Sequence, residues 1–155
     1  MGDFKQKFKI LIDTNIFLDV FQERENFVEA STKILNLVYE KKIDGIITAH
    51  SIPNLWYILR KTHTEEQRRN LLRAICTLFT VSNLDSTKIL LALERNNFHD
   101  FEDCLQDECA QEESCDYIIT RNTQDFSKAR IPALLPEDFL QCTSDCSTAA
   151  GEDRS

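Results

Sequence analysis

The sequence predicts an α/β protein, a parallel sheet covered on both faces by helices, and two observations carry the prediction. Short apolar runs alternate along the chain with longer stretches of helical periodicity, the pattern of repeated strand–helix units. The runs are apolar rather than alternating, as in strands buried on both faces. A third observation narrows the class. Only three glycines are present, and neither a G-x-G-x-x-G turn nor a P-loop occurs, which removes most support for a nucleotide-cofactor fold.

In chain order, Phe8 to Ile12 reads as the first strand and ends at Asp13-Thr14-Asn15. A helix fits Ala30 to Tyr39, where Ile34, Leu35 and Val38 share a face. Gly45 lies in that helix's exit loop, and Ile46 to Ala49 forms the second strand. Ser51 is the expected N-cap of a helix whose apolar side carries Leu55, Trp56, Ile58 and Leu59. Thr64 with Gln67 has capping-box spacing and opens a helix bearing Leu71, Leu72 and Ile75. Phe79 to Val81 is the third strand, and Asp85 or Ser86 caps a helix through Ile89, Leu90 and Leu93. Asp100 begins another helix, Tyr117 to Thr120 is the clearest later strand, and Ala133 to Leu135 is the last. Beyond Leu140 the composition turns to Ser, Thr, Asp, Ala and Gly, so residues 1–140 are expected to be one domain and 141–155 a disordered tail.

The chain has 155 residues, with 18 Lys+Arg against 26 Asp+Glu, a formal charge of −8. A 42% hydrophobic, 28% charged composition excludes general disorder, and the acidity excludes a simple basic nucleic-acid module. No apolar run is long enough for a membrane span and the N-terminus lacks a signal-like apolar core, so a cytoplasmic protein is expected. The six cysteines are read as free thiols, because their spacings and the scattered His50, His63 and His99 do not suit zinc.

In a parallel sheet, function collects beyond the carboxyl ends of the strands. Asp13 sits there after the first strand, Thr120-Arg121-Asn122 and Asp125 after the fourth, and Asp100-Phe101-Glu102-Asp103 starts the intervening helix. Helical spacing places Asp100, Asp103 and Asp107 on one stripe, with Phe101, Leu105 and Cys109 on an adjoining face suited to the sheet. Each acid alone has a structural reading as a cap or as a partner of the helix dipole. Together, carboxylates aimed at one partly buried edge require a neutralising cation. Mg²⁺ or Mn²⁺, held by a few carboxylates and several waters, is the economical choice for phosphodiester hydrolysis. His99 and Cys104 are read as a surface or capping residue and a core residue, not as base and nucleophile.

These residues resemble the PIN domain. The resemblance rests on Ile10-Leu11-Ile12-Asp13-Thr14-Asn15 with Phe17-Leu18-Asp19, on Ile47 to Ser51 and Leu59-Arg60-Lys61, and on Asp100-Phe101-Glu102-Asp103-Cys104-Leu105-Gln106. It continues through Tyr117-Ile118-Ile119-Thr120-Arg121-Asn122 with Asp125-Phe126, and Leu135-Pro136-Glu137-Asp138-Phe139-Leu140. It covers roughly residues 8 to 140 and lies nearest the VapC-like toxin and ribonuclease branch. The resemblance implies a three-layer α/β/α sandwich around a mostly parallel sheet, and Mg²⁺- or Mn²⁺-dependent cleavage of RNA. It implies Asp13, Asp103 and Asp125 as metal carboxylates, with Asn122 sharing the last position and Asp100 and Asp116 as second choices. Asn15, Ser51 and Thr120 would orient ligands or water. Many relatives carry Glu where this chain has Asn54, which removes a charge and implies weaker metal affinity. Arg121 is the expected phosphate contact, and the Arg68, Arg69 and Arg73 group is expected to be solvated.

A toxin would also imply a small antitoxin whose Arg or Lys enters among the carboxylates, and a homodimer to which Phe21, Trp56 or Tyr57 could contribute. The competing readings are weaker or less active. A dehalogenase-like phosphatase would want Asp at Asn15, a receiver domain would want an adjacent acidic pair, and a non-catalytic PIN-like module binding RNA or a protein partner remains compatible with Asn54. Eight acids and no Lys or Arg fall within residues 100–116, so the rest of the chain is neutral, at 18 acids against 18 bases. Glu108, Glu112 and Glu113 in that stretch are expected on the outer surface.

Overall fold

A computed structural model describes residues 7–149. The elements are β1 (Lys9–Ile12), α1 (Thr14–Phe21), α2 (Val28–Tyr39), β2 (Asp44–Thr48), α3 (Ser51–Leu59), α4 (Glu65–Leu78) and β3 (Thr80–Ser82). They continue with α5 (Ser86–Glu94), α6 (Phe101–Glu112), β4 (Tyr117–Ile119), a 3-10 turn (Thr123–Phe126), β5 (Ala133–Leu134) and α7 (Pro136–Ala149).

The sheet runs β3-β2-β1-β4-β5 with every pairing parallel. β1 is central, and its Leu11 lies opposite Ile46 on one side and Ile118 on the other. Alternate residues feed separate cores. Ile10, Ile12, Ile47 and Ile119 face one cluster with Phe17, Ile34, Leu55, Ile75 and Phe139, from α1, α2, α3, α4 and α7. Leu11, Ile46 and Ile118 face the other, with Cys109 and Ala110 of α6. Helices on both faces make the three-layer α/β/α sandwich, and the apolar runs are apolar because each strand is covered twice.

Local signals explain several boundaries. Thr64 and Gln67 form the reciprocal capping box that opens α4, and Asp85 caps α5 by accepting from the Lys88 backbone N–H. Gly45 lies inside β2 instead of in the loop before it, and the reason is packing. A Cβ there would meet Phe79 Cδ1 at 2.6 Å and Val38 Cγ2 at 2.9 Å, so the ring of Phe79 occupies the place of a side chain.

Two helices were not legible from composition. α1 leaves β1 directly and buries Ile16, Phe17 and Leu18. α7 occupies part of the segment expected to be a tail, running to Ala149, while residues 150–155 lie outside the described ones. Its start has a physical cause: Pro136 stands at the first helical position, Glu137 and Asp138 fill the first turn, and Phe139 packs edge-on against Phe8 and Tyr117. The helix therefore anchors at Phe139 and continues past Leu140.

Replacing Gly45 by Ala should overpack this contact and lower stability by about 1–3 kcal/mol. The midpoint of a urea titration measures it, and an unchanged midpoint would show that Phe79 moves aside freely.

Candidate metal centre

The strand order reverses direction between β1 and β4, and that is where the carboxylates gather. Asp13 follows β1 and its backbone N–H donates to Ile119 O at 3.0 Å, fastening it to the end of β4. Although Asp13 is the N-cap residue of α1, its side chain makes no cap hydrogen bond. Instead Thr120 Oγ1 donates to its Oδ2 at 2.8 Å and Gln106 Nε2 to its Oδ1 at 3.3 Å. Only 6% of Asp13 is exposed. Burial pushes its carboxyl above the usual range, opposed by those two hydrogen bonds and by the Thr14 and Asn15 backbone N–H groups.

Asp103 faces it from α6. Its carboxyl is half-buried and pushed up to about 7, first by burial and then by the charges of Asp13, Asp100, Asp125 and Glu102. That set of neighbours delimits an acidic cluster drawn from β1, α6 and the loop after β4. Asp100 spends one oxygen capping α6, its Oδ1 accepting from the Glu102 N–H at 2.7 Å and the Asp103 N–H at 3.4 Å. Asp125 is exposed on the 3-10 turn, where its N–H donates to Asn122 O. Asn122 is exposed too, and its N–H donates to Thr120 Oγ1 at 3.0 Å, so one hydroxyl ties this loop to Asp13. Asp116 is elsewhere: its Oδ2 accepts from the Lys9 N–H at the opposite end of β1.

Ser51 does not cap α3. It sits in a chain of hydroxyls, 3.0 Å from Thr14 Oγ1, which donates to it, and 2.7 Å from Thr48 Oγ1. Asn15 lies half-buried in the first turn of α1. Asn54 Nδ2 points to Glu102 Oε1 at 3.5 Å, the outer limit of a hydrogen bond. Glu102 therefore places a carboxylate oxygen of α6 beside the Asn54 amide.

Arg121 is not a free cation on the loop. Its Nε lies 2.9 Å from Oδ2 of the fully buried Asp19, out of line for a good hydrogen bond, and its guanidinium stacks 4.3 Å from the Phe27 ring centroid. Asp19 also accepts from Ser31 Oγ at 3.0 Å and pairs with Arg24 at 3.6 Å. His50 is a site-region residue that the sequence did not point to, and Asp19 and Gln106 stood in the quoted motifs without an assigned role. Gln106 had a signal, standing one turn from Asp103 on a helix otherwise facing the core. Asp19 stood in the motif after β1, but nothing in the sequence links it to Arg121, 102 positions away. Burial lowers the His50 pKa, against the charges of Glu102 and Asp13, so His50 is held neutral beside the acids.

The expected acidic stripe stops after one turn. Asp107 is fully buried and faces away, paired with Arg95 at 2.8 Å and accepting from the Arg130 and Ile131 backbone N–H groups. Glu108, expected outside, is also buried and pairs with Arg95 at 2.8 Å. Phe101 is 45% exposed, whereas Leu105 and Cys109 are buried as their spacing predicts. Burial raises the Cys104 and Cys109 thiols, consistent with unreactive core residues.

Among the described residues, no three His, Cys, Asp or Glu side chains converge closely enough to cage an ion by themselves. The donor set nevertheless fits a hard cation that keeps most of its waters. The donors are all oxygens, burial and then the neighbouring carboxylates disfavour the charged form of Asp103, and the buried Gln106 Oε1 beside Asp13 has no protein partner.

The fold and this edge define the class: a parallel α/β protein with a carboxylate centre at its topological switch point. A family profile described as PIN domain matches residues 9–124, and the chain belongs to that family. Ribonuclease VapC1 of Aquifex aeolicus (strain VF5) is 24% identical over 137 residues, spanning 86% of this chain and 94% of that protein. A toxin-antitoxin complex from Klebsiella pneumoniae superposes with a TM-score of 0.62 at 25% identity, covering 82% of this chain and 97% of the other. Mycobacterium tuberculosis VapC20, a sarcin-ricin loop cleaving toxin, superposes with a TM-score of 0.57 at 15% identity over 70% of this chain and 86% of that one.

A carboxyl raised from 3.8 to about 7 stabilises the folded state when protonated, a contribution complete at acid pH and lost as pH rises through 7. In chelator, the melting temperature should therefore fall between about pH 4 and about pH 7, and Asp103→Asn should flatten that fall. Parallel profiles for the two proteins would contradict the assignment.

Proposed function

We propose that this chain is a metal-dependent ribonuclease that hydrolyses RNA phosphodiesters, acting as the toxin of a toxin-antitoxin pair. The observation that carries the proposal is the buried Asp13 carboxyl facing a half-buried Asp103, itself surrounded by Asp100, Glu102 and Asp125, at the β1/β4 switch point. The named activity of the Aquifex relative and the toxin-antitoxin complex of the Klebsiella structure support it.

Asp13, Asp103 and Asp125 are the residues that would hold Mg²⁺ or Mn²⁺, with Asn122 beside them and Asp100 limited by its capping role. When bound, such an ion supplies an activated water and offsets the charge that develops on the phosphodiester. The protein's own side chains do the positioning. Thr120 and Gln106 fix both oxygens of Asp13, so its orientation does not depend on the ion. The Thr14–Ser51–Thr48 hydroxyl chain holds the start of α3 against α1, and Asn15 stands in the first turn of α1. Asn54 and Glu102 lie against each other beside the acidic cluster. Arg121, steadied by Asp19 and Phe27 on the loop after β4, is the guanidinium we assign to a substrate phosphate.

The partners that follow are an RNA substrate, a small antitoxin with a basic side chain for the acidic cluster, and a second copy of the chain. No helix of the described residues is long and apolar enough to cross a membrane, and we assign the protein to the cytoplasm. The nuclease unit is assigned to β1 through α7.

Asp13→Asn should lower metal-dependent cleavage of a generic RNA by at least about 100-fold, a loss typical of a second-sphere or ligand change at a metal site. Cleavage that persists in this variant would remove Asp13 from the mechanism, and no cleavage by the parent chain with either ion would favour a binding module. Asn54→Glu should lower the metal concentration for half-maximal cleavage; an unchanged or higher requirement would show that Glu102 already supplies what that position lacks.

A further inference from the structure

We propose that the solvent face of α3 is a track for single-stranded RNA leading away from the carboxylates, with Tyr57 as a base-stacking platform and Arg60 and Lys61 as phosphate contacts. The inference rests on the ribonuclease reading and names where the substrate strand lies.

Four observations carry it. First, α3 begins at the site, with Ser51 in the hydroxyl chain and Asn54 against Glu102, and rises about 1.5 Å per residue away from it. At 100° per residue Asn54 and Tyr57 lie within about 60° of one another, and Arg60 and Lys61 follow directly on the helix's last residue, Leu59. Opposite them, Leu55 and Leu59 are buried in the core. Second, Tyr57 is 62% exposed, although the sequence reads it as core or dimer contact. Third, the ring is held flat. The Arg60 guanidinium stacks 3.6 Å from its centroid, and Arg60 NH1 donates to Tyr57 O at 2.6 Å. One face of the ring is thus covered by a cation and the rest is open. Fourth, the neighbouring surface repeats the arrangement. Arg68 and Arg69 lie 4.0 and 5.4 Å from the Trp56 ring centroid, and Arg68 NH1 donates to Trp56 O.

Charge decides the occupant. Residues 56–73 carry five Lys and Arg against two Glu, in a chain whose net charge is −8. A basic surface interleaved with aromatic rings suits a polyanion bearing flat bases, and base–aromatic stacking tolerates any base sequence. An acidic cleft needs such a handle, since the cluster at Asp103 repels a phosphate backbone until a cation is present. The α3 face supplies attraction within one or two turns of the carboxylates and leaves the cleft itself to bind metal.

The test uses the full chain. Binding of a fluorescent single-stranded oligoribonucleotide to the Asp13→Asn protein is followed by anisotropy, and cleavage kinetics are measured with unmutated Asp13. Tyr57→Ala should weaken binding about ten-fold and raise KM similarly with kcat nearly unchanged. Tyr57→Phe should match the parent, Arg60→Ala should reduce the salt dependence of binding, and Tyr39→Ala, removing an exposed tyrosine of α2, should change nothing. Parent-like KM and binding for both Tyr57→Ala and Arg60→Ala would overturn the track while leaving the ribonuclease intact, and would point to a protein partner on this face. If the parent chain cleaves no RNA, the ribonuclease reading fails separately, and the anisotropy series still decides: loss at Tyr57 upholds an RNA surface and no loss overturns it.

Discussion

The arrangement of this protein depends on one buried carboxylate. A carboxylate removed from water is costly unless its oxygens are hydrogen-bonded. Asp13 meets that requirement with a hydroxyl from the end of β4 and an amide from α6. Its own backbone N–H is bonded to β4 as well. Two elements distant from it in sequence, β4 and α6, are thus tied to the residue that ends β1, and the tie holds only if β1 and β4 are adjacent and α6 lies across them. The switch point of the sheet, the start of α1 and the pitch of α6 are consequences of the same demand.

Charge is distributed around that point unevenly. The far side of α6 is neutralised internally: Arg95 holds Asp107 and Glu108, and the buried Lys88 meets Glu112. The near side, at Asp100, Glu102 and Asp103, has no such partner among the described residues. An acidic helix is therefore balanced over most of its length and left unbalanced where it faces Asp13. The net charge of −8 says little about this; what matters for a nucleic-acid substrate is that the unbalanced acids face the cleft while the aromatic–basic surface runs along α3 and α4.

The sheet and most helices were legible because β1, β2 and β4 are apolar on both faces and because Thr64, Gln67 and Asp85 cap the helices their spacing announces. Asp13, Asp103 and Thr120 were legible as neighbours because all stand just beyond strand ends or at a helix start. The rest was hidden for identifiable reasons. Helical spacing puts Asp107 beside Asp103, but it cannot report that Arg95 takes Asp107 into the core. Ser51 has the residue type of a cap, and its hydroxyl was claimed by Thr14 and Thr48. Arg121 looks free in sequence because Asp19 is 102 positions away. α7 was masked by a polar composition whose one decisive residue, Phe139, lies at its start.

The central claim is that Asp13 and Asp103 share a divalent cation at the β1/β4 edge. Crystals grown with Mn²⁺ and measured at the manganese absorption edge test it directly. The account predicts one anomalous peak between these two carboxylates, on the side from which Asp125 approaches. A peak elsewhere, or none while both side chains stand as described, would contradict it.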